Sequence, residues 1–317
     1  MRSIALLALC ACGSKDSAPP APTKLPPDEV RPAQDLGVDR LPQPIVDLPK
    51  QQSFRLLDPG TGERALLRYA VSDGEITTRI EMTISSRRMD NGTWSELQTL
   101  PPIRTALAAA KAGPGQLRAR PLVGEIVGTA TPEALAYLKG WQASESRRLT
   151  IGFDDRGQLG PIAFADDPLG SRSREALDDL AQRLLTITVP VPEEPVGIGA
   201  SWRVVTALNQ RPVVVKQTAT YTLLARTAEG WKVGVELQRV GEEQTITDPS
   251  VAKNAMVDLV ALVRRYKGTF EVTRDRALPT GTLEIESSMH LRMQPRTGPV
   301  VEQILEDRGT VVLSPSH

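Results

Sequence analysis

The side chains here that could do chemistry are two histidines, a few serines near glycine and 38 carboxylates. His290 is the only internal histidine, and His317 is the last residue of the chain. In the stretch Leu283–Met293, Leu283, Ile285, Met289, Leu291 and Met293 alternate onto one face. His290 falls on the other, with Glu284, Glu286, Ser288 and Arg292, which reads as a solvent-facing strand residue. A histidine-rich zinc site is excluded by count. No G-x-S-x-G elbow is present, and Gly199-Ala200-Ser201-Trp202 reads as a turn before a strand. Gly124-Glu125-Ile126-Val127-Gly128 fits neither a phosphate loop nor a dinucleotide fingerprint. Two carboxylates alone suffice for glycoside hydrolysis. Glu81, Glu236, Glu271, Glu284 and Glu286 are candidates, but nothing in the sequence sets any two at a working separation. Asp154, Asp155, Asp166 and Asp167 sit near glycine or proline and mark turns, with a calcium site as the rival reading. No catalytic, cofactor-binding or metal-binding residue is assigned, and no cofactor is expected.

Cysteine chemistry is confined to one end. Cys10 and Cys12 are the whole cysteine complement. Arg2 supplies a positive charge, and Ile4 to Ala11 is an apolar stretch of signal-peptide length. Leu9-Cys10-Ala11-Cys12 then matches the bacterial lipoprotein pattern. It has an aliphatic residue three places before the modified cysteine and a small one immediately before it. Gly13 and Ser14 follow, small and flexible. Cys12 is the expected lipidation site. Cys10 is the rival, with the bulkier Leu9 before it, and ordinary secretion is the third reading. If Cys12 carries the acyl chains, Cys10 leaves with the leader, and no thiol remains for a disulfide, a metal site or a nucleophile. Several acyl chains anchor a protein stably where one binds only marginally.

Residues 12–50 read as a disordered tether. Nine prolines from Pro19 to Pro49 accompany few large apolar residues, so the segment buries too little surface to offset its ordering entropy. The chain has 317 residues, with 38 basic and 38 acidic side chains. That balance argues against an electrostatic nucleic-acid partner. No apolar run approaches the roughly 20 residues of a membrane-crossing helix. Trp94, Trp141, Trp202 and Trp231 are scattered rather than set at a strand period, so no aromatic stacking platform is indicated.

The elements that must position these residues begin near residue 51. Leu66–Val71 reads as a strand leading to a turn at Ser72–Glu75. Ile76–Ile84 then places Ile76, Thr78, Ile80, Met82 and Ile84 on one face of a half-buried strand. Asn91-Gly92 marks a turn. Residues 103–112, IRTALAAAKA, favour helix by propensity. The prolines before them and Gly113-Pro114-Gly115 after them favour a strand with its partner in Gln116–Val127, and helix remains the alternative. Thr131-Pro132-Glu133 opens a short helix, with threonine as its cap. Arg148–Phe153 is a strand turning at Asp154–Gly157, and Ser173–Leu185 is a helix with Leu177, Leu180, Ala181 and Leu184 inward. Trp202 is an expected apolar plug.

The second half is read with the same grammar. Ala219–Leu224 and Lys232–Leu237 form a hairpin. Asp248-Pro249-Ser250 caps a long helix, with Val251, Ala255, Met256, Leu259, Val260 and Val263 as its stripe, ending at Lys267-Gly268. Strands follow at Thr269–Thr273 and Gly281–Met293, then a last hairpin around Glu306–Gly309. The expected class is α+β. It consists mainly of antiparallel sheet in two similar halves, each covered by a helix, after the tether. The division is 1–11 signal peptide, 12–50 tether, 51–190 first half and 191–317 second half.

Several stretches carry a family resemblance. They are the Leu-Cys-Ala-Cys start, the proline-rich spacer, LLRYAVSDGEITTRIEMTIS at 66–85, PPIRT at 101–105 and PEEPVGIGASWRV at 192–204. Together they resemble an uncharacterised family of secreted lipoproteins from myxobacteria and related Gram-negative bacteria. The resemblance implies an envelope lipoprotein and no catalytic motif. The expectation is a non-enzymatic module anchored to the membrane through its N-terminal acyl chains, binding a lipid-like ligand or an envelope protein. A hydrolase using paired carboxylates and a purely structural scaffold are the alternatives. Gly13 after Cys12, with no aspartate there, points to delivery to the outer membrane.

Overall fold

Alternation of inward and outward side chains, plain in the sequence at 76–84, recurs along almost the whole chain. A computed structural model describes residues 45–46, 51–132, 134–135, 138, 141, 148–164, 180–210, 213–246 and 255–316. The first strands are β1 (Ile45–Val46), β2 (Gln51–Asp58), β3 (Thr61–Ala65), β4 (Ile76–Asp90), β5 (Thr93–Trp94) and β6 (Gln98–Thr99). Next come β7 (Ile103–Gly113), β8 (Gln116–Ile126), β9 (Leu149–Phe153), β10 (Leu159–Phe164), β11 (Val196–Ile198) and β12 (Ser201–Gln210). The last are β13 (Val213–Arg226), β14 (Gly230–Gly241), β15 (Gln244–Ile246), β16 (Ala255–Thr273), β17 (Thr280–Pro295) and β18 (Val301–Pro315).

All but two of these join one antiparallel sheet, in the order β1-β10-β9-β8-β7-β4-β18-β17-β16-β14-β13-β12-β2, with β5 and β6 added on β4 and β15 on β16. The remaining pair, β3 and β11, is a small separate ribbon. Helix is confined, among the described residues, to 180–187 and to scattered positions between Pro132 and Trp141. The molecule is therefore not an α+β protein of two helix-covered halves. Its class is a large, sandwich-like antiparallel sheet. Strands from either side of residue 190 interleave, since β18 pairs β4 and β2 pairs β12.

The long helix expected over 251–267 is the clearest correction. Residues 255–273 form β16, paired with β15 and β14 in turn on one side and with β17 on the other. Leu262, Arg264, Tyr266, Phe270 and Val272 turn inward at period two, and Met256, placed on the helix stripe, is 49% exposed. A short apolar run such as VDLVALV cannot be told from helix by periodicity, and pairing on both edges overrides local preference. Asp248–Ser250 and Val251 lie outside the described residues. Without that helix the two halves do not share the expected grammar.

Two smaller expectations also fail. Residues 66–71 are not a strand; their amides reach other loops, Tyr69 N–H to Asp155 and Ala70 N–H to Arg274. Glu306–Gly309 is not a turn but the middle of β18. Gly309 serves there as a close-approach residue, for a side chain would strike the Thr83 carbonyl of β4. Gly268 in β16 meets the Thr282 carbonyl of β17 in the same way. Glycines inside strands mark such close backbone approaches and tight bends.

Other expectations agree with the structure. IRTALAAAKA is a strand, paired with β8 through Gly113–Gln116. Asn91 and Gly92 both have positive φ in the two-residue turn from β4 to β5. Thr131 caps its helix, its Oγ1 accepting from Ala134 N–H at 3.2 Å. The tether reading is corrected at its end, where Ile45 and Val46, inside the segment read as disordered, pair with β10 as a short strand.

The sheet must curl. Five interstrand steps of about 4.8 Å would put β7 roughly 24 Å from β14 in a flat sheet. Yet Ile103 of β7 and Arg239 of β14 line a single cavity of about 100 Å³. The helical segment 180–187 and the chain following it lie inside the curl. Leu180, Ala181, Leu184, Leu185, Ile187, Val189 and Val191 are all buried there.

Candidate binding cavity

A buried helix end leaves carbonyl groups that need donors. Here the sheet supplies them from its inner face. Gln217 Nε2 donates to Leu185 O at 3.3 Å, and the Tyr221 hydroxyl to Thr188 O at 3.3 Å. The Tyr69 hydroxyl donates to Val189 O at 2.9 Å, and Trp202 Nε1 to Pro190 O at 2.7 Å. Trp202 is thus the expected plug, fully buried and stacked on Tyr221 with ring centroids 5.7 Å apart. Burial raises the pKa of both Tyr69 and Tyr221, since an ionised phenolate would lose its hydration there.

On the other side of the helix the interior is not filled. The cavity there has apolar walls from the sheet, with Ile80 and Met82 of β4, Ile103 of β7, Ile285 of β17 and Val311 of β18. Ile187 and Trp141 complete them from the helical side, and Trp141 Nε1 donates to Leu122 O at 2.6 Å.

The polar groups on the cavity come from four elements. Gln182, Arg183 and Thr186 are on the helix, Arg239 is on β14, Tyr266 on β16 and Thr105 on β7. Arg239 is 3% exposed. Its Nε donates to Gln217 Oε1 at 2.8 Å, and its Nη2 donates to Gln182 O at 3.0 Å and to Thr186 Oγ1 at 2.6 Å. All three acceptors are neutral. Burial lowers the pKa of Arg239, partly offset by the Tyr266 hydroxyl, and Arg264 adds to the lowering. For Tyr266, burial pushes the pKa up, but Arg239, Arg264 and Arg183 together outweigh it and hold it below the ordinary value. Arg264 also donates from Nε to Ser287 Oγ at 3.2 Å. The guanidinium of Arg183 lies 5.7 Å above the Trp141 ring.

The acids singled out in the sequence do not converge. Glu81 pairs with Arg104 at 2.6 Å, Glu236 with Lys267 at 3.1 Å and Glu271 with Lys232 at 3.3 Å. Glu284 stands opposite Lys267, and Glu286 opposite both Arg265 and Arg308. They form cross-strand ladders of alternating charge on the outer face. Asp307 is set apart, because burial raises its pKa against the pull of Arg264. His290 is half-buried and lies 3.4 Å from Glu302, on the face expected for it. Asp154 Oδ1 accepts from the amides of Arg156 and Gln158, and Asp155 pairs with Arg68, so both hold a turn and a loop. Asp166 and Asp167 lie outside the described residues, as does Cys12. Among the described residues no three histidine, cysteine, aspartate or glutamate side chains cluster.

Arg239, Arg264 and Tyr266 went unread in the sequence. The signal was there for Arg239. Val233, Val235 and Leu237 alternate onto the buried face, and the same parity carries on to Arg239. A charged residue on the buried parity of a strand is what marks the site. Arg264 and Tyr266 share that parity in β16 but were masked by the helical reading.

Fold and site together define a curled antiparallel sheet packed around a helix, with Arg239 facing a largely apolar cavity. No protein-family model matches the chain, and comparison with the curated proteins gives no match.

Proposed function

We propose that this chain is a lipid-anchored protein of the bacterial envelope, held by acyl chains on Cys12, whose folded body binds an amphiphilic ligand and carries out no reaction on it. The observation that carries the reading is the cavity between the helix and the concave face of the sheet, apolar in its walls and polar at the Arg239 end. Ligand sites in proteins are concave and mostly apolar, with a few placed polar groups. At about 100 Å³ the cavity holds part of a ligand, so the rest must extend out of it. The Leu9–Cys12 pattern and the family resemblance support the anchor and its envelope location, with the outer membrane as the destination. A carboxylate-based hydrolase finds no support among the described acids, each of the five candidates being opposed to a cation.

The test has two arms. Native mass spectrometry of the protein purified from its own envelope should show a retained small molecule. A neutral apolar naphthylamine fluorophore should be taken up by the ligand-free chain and displaced by the extracted molecule. A chain that neither retains a ligand nor takes up the fluorophore is not a binding module of this kind. For the anchor, Cys12→Ser should release the protein from the membrane fraction; equal retention would sink that part of the proposal.

A further inference from the structure

The cavity's polar end indicates which amphiphile it takes, an inference that rests on the binding role proposed above. Arg239 is fixed in place. Its Nε and Nη2 are spent on Gln217, Gln182 and Thr186, and it is not free to reach the surface. Among the described residues no ion pair reaches it and no hydrogen bond uses its Nη1, while the Tyr266 ring lies 5.6 Å from its guanidinium carbon. A buried charge without a counter-charge is costly, and the cost is recovered when an anion meets it. A guanidinium is also the side chain best suited to a carboxylate, through short charge-assisted hydrogen bonds. Arg183 adds a second cation at the cavity from the helix side.

We infer that the ligand is a single-chain carboxylate amphiphile. Its head accepts end-on from Arg239 Nη1, and its first carbons lie against Ile80, Met82, Ile103 and Ile285. Because the three anchored N–H groups point to the helix and to Gln217, only Nη1 is left for the ligand. That suits one carboxylate better than a bulkier, more highly charged head. A cationic amphiphile is repelled, and a neutral one gains the apolar contacts alone.

The experiment is isothermal titration of the full chain with octanoate, octanol and octylamine, which share a tail and differ in the head. Octanoate should bind at least ten-fold more tightly than octanol, and octylamine more weakly than either. Arg239→Met should erase the difference between acid and alcohol. Since Arg239 also ties the helix to the sheet, that variant is read only with its melting curve. Ile80→Phe, which fills the cavity without touching the arginine, should abolish binding of all three. Equal binding of octanoate and octanol to the native chain would overturn the carboxylate and leave the cavity reading standing. Binding of none would overturn both. Unchanged octanoate binding by Ile80→Phe would place the site elsewhere and overturn the assignment to Arg239.

Discussion

The two sides of the buried helix differ in how they meet the same demand. On the side of β12 and β13, aromatic residues provide both bulk and donors. Trp202, Tyr221 and Tyr69 bond the carbonyls of 188–190, and their rings fill the interior, with Tyr69 meeting Phe153 and Trp231 edge-on at 5.2 and 5.3 Å. On the side of β14 and β16 the donor is an arginine, and isoleucines and a methionine form walls that do not meet. Indole and phenol combine a large apolar body with one polar tip, so they close space as they bond. A guanidinium bonds as well but has charge to spare and less bulk, and space is left beside it. The solid side holds the fold together, and the hollow side is where a ligand has room.

Substitutions should separate the two sides. Trp202→Ala on the solid side should have the largest effect, a loss of about 3–5 kcal/mol from cavity and hydrogen bond together, read from urea unfolding. Ile80→Phe on the hollow side should leave the fold intact and raise its stability, by up to about 2 kcal/mol. A loss as large as that of Trp202→Ala would mean that the hollow side is packed as tightly as the solid one.

Alkaline titration should sharpen the contrast, because the tyrosines shift in opposite directions. Tyr69 and Tyr221 stay protonated in the fold above their ordinary value of 10.0, while the unfolded chain ionises there. Their contribution is therefore whole below about pH 10 and is lost as pH climbs beyond it. Tyr266, with its pKa lowered, does the reverse: its contribution is present above pH 10 and lost as pH falls through its folded value. Tyr221→Phe should cost about 1 kcal/mol at neutral pH and flatten the alkaline decline. Tyr266→Phe should remove phenolate absorbance that develops ahead of Tyr69 and Tyr221. If it removes only late-developing absorbance, the cationic character of the hollow side is disproved.

The smallest effect should come from Asp307→Asn. Burial holds that carboxyl's pKa up, so the folded form resists ionising where the unfolded chain ionises freely above about pH 4. The neutral amide should raise the melting temperature slightly at pH 7 and leave it unchanged at pH 3. A drop at pH 7 would show instead that its attraction to Arg264 dominates.

Much of this arrangement was legible along the chain. The faces of 76–84 and 283–293, the hairpin across Gly113–Gln116, the Thr131 cap and the plug at Trp202 all depend on nearest neighbours in sequence. The strand at 255–273 did not, because VDLVALV satisfies either period and only β15 and β14 on one edge and β17 on the other decide between them. The site was half-legible for the same reason. Arg239 sits on a buried parity that can be counted, but its facing Gln182 and Thr186 needed the curl.

Sequence by itself determined the local matters: the turn at Asn91-Gly92, the hairpin across Gly113–Gln116 and the alternation of most strands. These rest on covalent spacing and backbone preference, which act over a few residues. Tertiary structure alone decided that one sheet runs through both halves, that residues 255–273 extend rather than coil, and that an arginine and a ring of aliphatic side chains share a cavity. Those outcomes depend on pairing and burial between segments as far apart as Ile80 and Val311, and no local preference encodes which strand lies beside which.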